Sequence, residues 1–306
     1  MNNAKLVPFN IEEESSEALN NYLISQDGYI PTGVNMINAP IMWQKGFRGE
    51  GITIAVIDTG CVMNHPDLKK NIIGGKNFTI EDDGNEEIYE DYLGHGTHVC
   101  GIIAGNGHIL GVAPKAKLLV LKALDKNGNG SMLNVASAIT YAVKQKVDII
   151  SLSLGCPSDV PQLKMAIERA IAKNISVVCA CGNSGDNLPY TVEIDYPAYY
   201  NEVISVGAVD NTKLNADFSN SNKEIDLVAP GVNIISTHLN NGYAKLDGTS
   251  MATPHVTGAL ALLKQQSTYE FGRVLSEKEL YAQLIKHTLE LNLPKGVQGN
   301  GMICLK

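Results

Sequence analysis

The stretch Gly51-Ile-Thr-Ile-Ala-Val-Ile-Asp-Thr-Gly60 decides the fold class of this chain. Ile52–Ile57 is a nearly unbroken β-branched run, without the polar alternation of a strand that has one wet face, so it reads as a strand buried on both sides. Similar runs recur at Leu118–Leu121, Asp148–Leu154, Ile175–Ala180 and Val203–Val209. Helical spacing appears between them, in Leu133, Ala136, Thr140 and Val143 and again in Leu163, Ile167, Ala170 and Ile171. A last amphipathic stretch runs through Leu280, Tyr281, Leu284, Ile285 and Thr288. Strands alternating with helices of this length predict a three-layer α/β fold, a mostly parallel sheet with helices on both faces.

Working outward, 306 residues with 44% hydrophobic and 18% charged side chains are globular in composition. No Pro/Gly/Ser-rich linker or repeat interrupts residues 31–306, which read as one domain. Residues 1–30 stand apart. Lys5-Leu-Val-Pro-Phe9 is a short apolar island, followed by an acidic polar tract through Glu12-Glu13-Glu14. A frayed terminus with one hydrophobic anchor would have the same pattern. The net charge of −8 argues against a nucleic-acid partner. The N-terminus lacks the apolar core of a signal peptide, and no segment reads as a membrane span. The six cysteines lie mostly in apolar runs without metal-site or disulfide-scaffold spacing, which predicts reduced thiols in a cytoplasmic protein.

In a parallel sheet, ligands bind beyond the carboxyl ends of the strands. Asp58 follows Ile52–Ile57, Asn183 follows the strand that ends in Cys179-Ala-Cys-Gly182, and His95 opens an apolar helix in Gly94-His-Gly-Thr-His-Val99. Ser250 lies in Gly248-Thr-Ser-Met-Ala-Thr-Pro-His-Val256, at the start of a buried helix. Singly, each has an ordinary reading. Asp58 and Asn183 suit turns, Ser250 suits a helix N-cap, and His95 with His98 is a metal pair lacking a third ligand. Together they are the nucleophile, base, orienting acid and oxyanion donor that one mechanism requires.

The order Asp58, His95, Ser250 is the order of the subtilisin triad. Val56-Ile-Asp-Thr-Gly60, His95-Gly-Thr-His98 and Gly248-Thr-Ser-Met-Ala-Thr-Pro-His255 resemble the three signature motifs of the subtilisin-like serine proteases. The resemblance implies that Ser250 is the nucleophile, His95 the general base, Asp58 its orienter and Asn183 the oxyanion-hole amide. It further implies protein or peptide substrates, bound extended between Ser153-Leu154-Gly155 and Gly128-Asn-Gly130, with Gly182 also among the substrate-binding residues. Asp195 stands where most relatives carry a small residue. It is either a solvated loop acid or an anion that favours Lys or Arg before the scissile bond.

Leu6-Val7-Pro8-Phe9 and Tyr200-Asn-Glu-Val-Ile204 are similar to segments of the intracellular subtilisins of spore-forming bacteria. In that branch a short extension lies across the active site and blocks it until removed. Pro8, with its fixed φ, offers a reason why such a segment escapes cleavage. The resemblance also implies structural calcium, held by Asp67 with the loop Gly105–Leu110, which is shorter here than in relatives. A second position would use the carbonyls of Ala198, Tyr200 and Val203 with Asp226. No cofactor is expected for the chemistry. A homodimer rests on the resemblance alone. The competing functions are a catalytically silent protein that uses the fold for binding or scaffolding, and a hydrolase of non-peptide acyl groups.

Overall fold

The computed structural model describes residues 3–6, 10–12 and 28–306. Among these residues the main sheet has nine strands. From one edge to the other they are β14 (Thr288–Leu289), β15 (Met302–Ile303), β11 (Leu227–Pro230), β10 (Ile204–Val209), β9 (Ser176–Ala180), β7 (Ile149–Leu152), β3 (Thr53–Asp58), β5 (Lys117–Lys122) and β4 (Ile72–Asn77). Each neighbouring pair is parallel except β14 with β15.

The strands are apolar throughout because both faces are covered. On β3, Ile54 and Val56 enter one core cluster, while Ala55 and Ile57 enter the other. On β5, Leu118 and Val120 alternate with Leu119 and Leu121 in the same way, following the period of two. Helices α3 (His95–Ala104) and α6 (Thr249–Phe271) cover the first face, joined by the short α1 (Thr32–Met36) and α2 (Ala39–Gln44) and by α7 (Glu277–Lys286). Helices α4 (Met132–Lys144) and α5 (Pro161–Ile171) cover the second. A four-residue α8, Lys295–Gln298, precedes β15.

The helix expected through Leu133, Ala136, Thr140 and Val143 exists as α4, but its buried stripe is rotated. Met132, Val135, Ala136, Ile139 and Ala142 face the core, whereas Leu133 is 53% exposed. Val143 packs half-buried against that cluster, while Leu133 flanks the true face, and apolar surface positions are normal in folded proteins. The stretch ending at Thr288 also splits. The helix stops at Lys286, and Thr288 begins β14. The main-sheet strands not foreseen, β4, β11, β14 and β15, are short or contain Gly74-Gly75.

From β3 the chain builds β4 and β5 to one side, and then crosses to β7 and onward on the other. The crevice at the carboxyl end of β3 is therefore a topological switch point, where doubly wound sheets hold their ligands. Two smaller sheets border it. One has the order β6 (Asn129–Ser131), β1 (Asn3–Leu6), β8 (Leu154–Gly155), and the other has the order β12 (Ile234–Thr237), β13 (Tyr243–Asp247), β2 (Asn10–Glu12). Gly28 and Tyr29 hydrogen-bond to Gly107 and His108, so the body of the domain is already engaged just ahead of residue 31. All six cysteines are free and buried, and burial pushes the Cys179 thiol well up.

Candidate active site

Asp58 is the last residue of β3 and His95 the first of α3. Asp58 Oδ1 accepts the Thr59 N–H at 2.7 Å and lies 2.7 Å from His95 Nδ1. A carboxylate there selects the tautomer protonated at Nδ1, which leaves Nε2 as the basic nitrogen. His98 faces elsewhere. Its Nε2 lies 3.0 Å from the Ile234 carbonyl and 3.2 Å from that of Ala244, so the two histidines do not converge on an ion. Burial pushes the His98 imidazole well below its usual range.

Two residues that the motifs did not single out hold this pair. Asp91 is 3% exposed and accepts from the N–H groups of Leu93, Gly94 and Thr97, at 3.0, 2.9 and 2.9 Å, and from the Thr97 and Thr59 hydroxyls at 2.7 and 2.9 Å. These bonds satisfy the N–H groups of the turn leading into α3 and of Thr97 in its first turn, and put negative charge at its positive end. Burial alone would raise the Asp91 carboxyl, but the donors outweigh it and hold the group below its usual range. Lys122, fully buried at the end of β5, donates to the carbonyls of Thr59 and Glu90, each at 2.9 Å, and pairs with Glu81 at 2.9 Å. The turn after Asp58 and the segment before His95 are thereby tied to one ammonium.

A depressed carboxyl contributes stability that is complete above its unfolded value, near 4, and is lost as pH falls through the folded one. Asp91→Asn is therefore expected to lower the unfolding free energy at pH 7 by about 2 kcal/mol, as for hydrogen bonds to a charged group. The gap between wild type and variant narrows as the pH drops below about 4. Denaturant unfolding at pH 7 and pH 3 checks both the size and the direction.

Ser250 is the second residue of α6, whose N-cap is Gly248 without a side-chain cap bond. The cap role considered for Ser250 therefore fails, because the helix begins before it. Its hydroxyl donates to the Ser153 carbonyl at 3.1 Å, and the Ser153 hydroxyl returns a bond to the Ser250 carbonyl at 2.9 Å. The Ser250 N–H belongs to the first turn, which has no helical acceptor. Asn183 follows β9 and faces the same turn. Its Oδ1 accepts the Thr249 N–H at 2.9 Å and the Thr249 hydroxyl at 2.7 Å. With its oxygen occupied, the amide presents its Nδ2 end as the donor. Asn220, also unforeseen, straps this loop by accepting from Ser184 N–H at 2.7 Å and donating to the Cys181 carbonyl at 2.9 Å.

The two expected edges flank the crevice. Gly130 lies in β6 with Gly128 just before it, and Ser153 immediately precedes Leu154 and Gly155 of β8. Strand β1 fills the space between them, antiparallel to both, with Ala4 opposite Gly130, Lys5 opposite Asn129 and Gly155, and Leu6 opposite Leu154. The Leu6 N–H donates to the Gly128 carbonyl at 2.9 Å, and a side chain at Gly128 would run into Leu6. On the other side of Ser250, Asn10 stands opposite Asp247, next to the helix cap. Val7, Pro8 and Phe9 lie outside the described residues. Asp58, His95 and Ser250 are at most 1% exposed in this arrangement.

Comparison with known proteins places this geometry. The subtilase family model matches residues 49–301. The chain belongs to the subtilase family. This subtilase is a serine endopeptidase, and it is 56% identical over 280 residues to the major intracellular serine protease of Bacillus subtilis (strain 168), covering 90% of this chain and 88% of that one. It is 54% identical over 280 residues to an intracellular serine protease of Paenibacillus polymyxa, covering 90% of this chain and 85% of the other. Subtilisin DY of Bacillus licheniformis is 41% identical over 237 residues, with 76% and 84% covered.

The calcium positions implied by the family do not fit the residues of this subtilase. Asp67 is 1% exposed and its oxygens face donors: the N–H groups of His108 at 2.9 Å and Ile109 at 3.0 Å, and the Tyr243 hydroxyl at 2.9 Å. The short loop has closed onto the carboxylate, and a side chain at Gly107 would collide with Asp67. The carbonyls of Gly107 and His108 accept from Gly28 and Tyr29. At the second position, Asp226 accepts from Ser205 N–H at 2.8 Å and from the Tyr281 hydroxyl at 2.6 Å, and burial pushes its carboxyl up to about 6. Ala198, Tyr200 and Val203 lie in the loop before β10, and the Tyr200 carbonyl accepts the Val203 N–H at 3.3 Å. Calcium wants six to eight oxygens. We expect the thermal midpoint of the full chain to be the same in excess chelator as in millimolar calcium, whereas a site filled at 100 times its Kd would add about 2.7 kcal/mol.

Proposed function

We propose that this subtilase is an intracellular, cytoplasmic endopeptidase working through Asp58, His95 and Ser250, held latent by residues 1–30 lying on a peptidase domain of residues 31–306. The observation that carries this reading is the seat of β1, which pairs with β6 and β8 as an extended peptide substrate would, and ends opposite Leu154 beside Ser153 and Ser250. The names of the two most similar relatives described above support an intracellular setting.

In this mechanism the Ser250 hydroxyl turns from the Ser153 carbonyl and attacks the scissile carbonyl, while His95 Nε2 takes its proton. Asp58 keeps Nδ1–H in place and stabilises the imidazolium. The Asn183 amide and the Ser250 N–H donate to the tetrahedral oxygen. His95 then returns the proton to the leaving amine, giving an acyl-Ser250 ester and a free amine. Water, deprotonated by the same imidazole, releases the acid and restores the serine. Backbone pairing with the Gly128–Gly130 and Ser153–Gly155 edges supplies affinity for extended chains of varied sequence.

An aryl organophosphonate tests the nucleophile. Peptide mapping is expected to find the adduct on Ser250, formed faster once the extension has been cut than in the intact chain. A folded, cut chain that fails to label would overturn the catalytic reading in favour of a silent binding protein.

A further inference from the structure

The cleft holds one charge that the chemistry above does not use. Asp195 lies in the loop before the cis peptide Tyr196–Pro197, and that loop is pinned to the cleft by paired backbone bonds between Tyr196 and Cys156, at 2.7 and 2.9 Å. Its side chain stands against both Gly155, two residues after Ser153, and Gly182, next to Asn183. A Cβ at Gly155 would come within 3.4 Å of the Asp195 Cβ, and a side chain at Gly182 would collide with the Asp195 carboxylate and the Asn220 amide. Gly182 also has φ +115°, so position 182 suits only glycine, for conformational as well as spatial reasons.

The polar partner of the carboxylate is Asn220, whose Nδ2 donates to Oδ2 at 3.1 Å. Among the described residues no Lys, Arg or His pairs with Asp195, and the chain neighbours of Gly155 and Gly182, which are Leu154, Cys156, Cys181 and Asn183, are neutral. A partly buried carboxylate with only a neutral partner pays for its lost hydration, and burial accordingly pushes the Asp195 carboxyl up. A cation placed beside it would recover that cost.

The register of β1 says which substrate residue would enter. Leu6 stands opposite Leu154, so in an antiparallel strand the next residue of a bound peptide stands opposite Ser153, whose carbonyl is 3.1 Å from Ser250 Oγ. The carbonyl of that residue would be the one within the serine's reach, and its side chain would be directed between Gly155 and Gly182 toward Asp195. Resting on the endopeptidase reading above, we infer that Asp195 selects a lysine or arginine immediately before the scissile bond. The charged head would pair with the Asp195 carboxylate while its aliphatic stem packs along Leu154 and Cys156.

Two peptide anilides differing only in arginine or citrulline before the anilide test the charge alone, since the side chains are nearly isosteric. The full-length chain serves for the assay. The ratio of two kcat/KM values is independent of how much enzyme is folded or has its cleft open. For the unsubstituted chain, arginine is expected to exceed citrulline by about 10- to 100-fold, the range of a hydrogen-bonded charge pair. Asp195→Asn, which keeps the shape and a donor–acceptor group beside Asn220, brings the ratio to near unity. Asp195→Ser does the same by a second route. Turnover of both peptides with a ratio that neither variant changes overturns the inference and leaves the endopeptidase intact. No turnover of either peptide by the folded chain after its extension has been cut, together with no organophosphonate adduct on Ser250 of that cut chain, overturns both.

Discussion

Alanine in place of Ser250 is expected to lower kcat by about 10⁶, a magnitude taken from loss of the triad serine in subtilisin itself. The size follows from the way the group acts. The hydroxyl supplies the bond that forms in the acyl-enzyme, and without it His95 has no held proton to take and Asp58 no imidazolium to stabilise. What survives is the oxyanion donors and substrate binding, which in such triads retain about 10³ to 10⁴ over water. The variant should fold normally. Ser250 lies in a helix flanked by small residues, and its hydroxyl bond to the Ser153 carbonyl at 3.1 Å is an ordinary neutral one worth about 1 kcal/mol. A stopped assay on an anilide, with unfolding measured in parallel, separates the two quantities. Residual activity within tenfold of the parent would mean that the nucleophile is elsewhere. The comparison is best made on a chain whose extension has been displaced.

Displacement itself is the second large effect. Leu6→Glu should raise the kcat/KM of the intact chain by about 10²- to 10³-fold, the sum of losing a buried leucine and forcing a carboxylate against apolar surface. Leu6 is 9% exposed and packs with Ala4 in the second core cluster, while its N–H binds the Gly128 carbonyl. Lys5 lies between them with its side chain exposed. Lys5→Glu therefore serves as the control, changing charge without unseating the strand, and should alter activity by no more than about twofold, as for surface substitutions. Mass spectrometry must show both chains uncleaved. Equal activity of intact parent and intact Leu6→Glu chain would mean that β1 does not restrain the enzyme.

The misfit with calcium follows from the protein donors that face the carboxylates. Where a cation would neutralise Asp67, this chain uses three protein donors, one of them Tyr243 from β13. Such a carboxylate is satisfied without an ion, and its donors would have to be withdrawn before one could bind. Stability then depends on the loop Gly105–Leu110 remaining short.

The sequence by itself determined the central strands of the sheet and which residues are the candidates for the chemistry. Strands β3, β5, β7, β9 and β10 were legible because burial on both faces demands continuous apolar runs, and Asp58, His95, Asn183 and Ser250 because each sits in a short motif at the end of an element. Leu133 marks where local pattern stopped being informative. Which stripe of α4 faces the sheet depends on the packing of the whole helix against β3 and β5, and Met132, Val135 and Ile139 outweighed it. The supports of the site were decided only by tertiary structure. Lys122 meets Thr59 and Glu81, Asn220 meets Cys181 and Ser184, and Tyr243 meets Asp67, each across tens of residues of chain. Periodicity reports neighbours within a turn or a pleat. A buried polar group finds its partner wherever the fold brings one, because leaving it unpaired costs more than the contact gains.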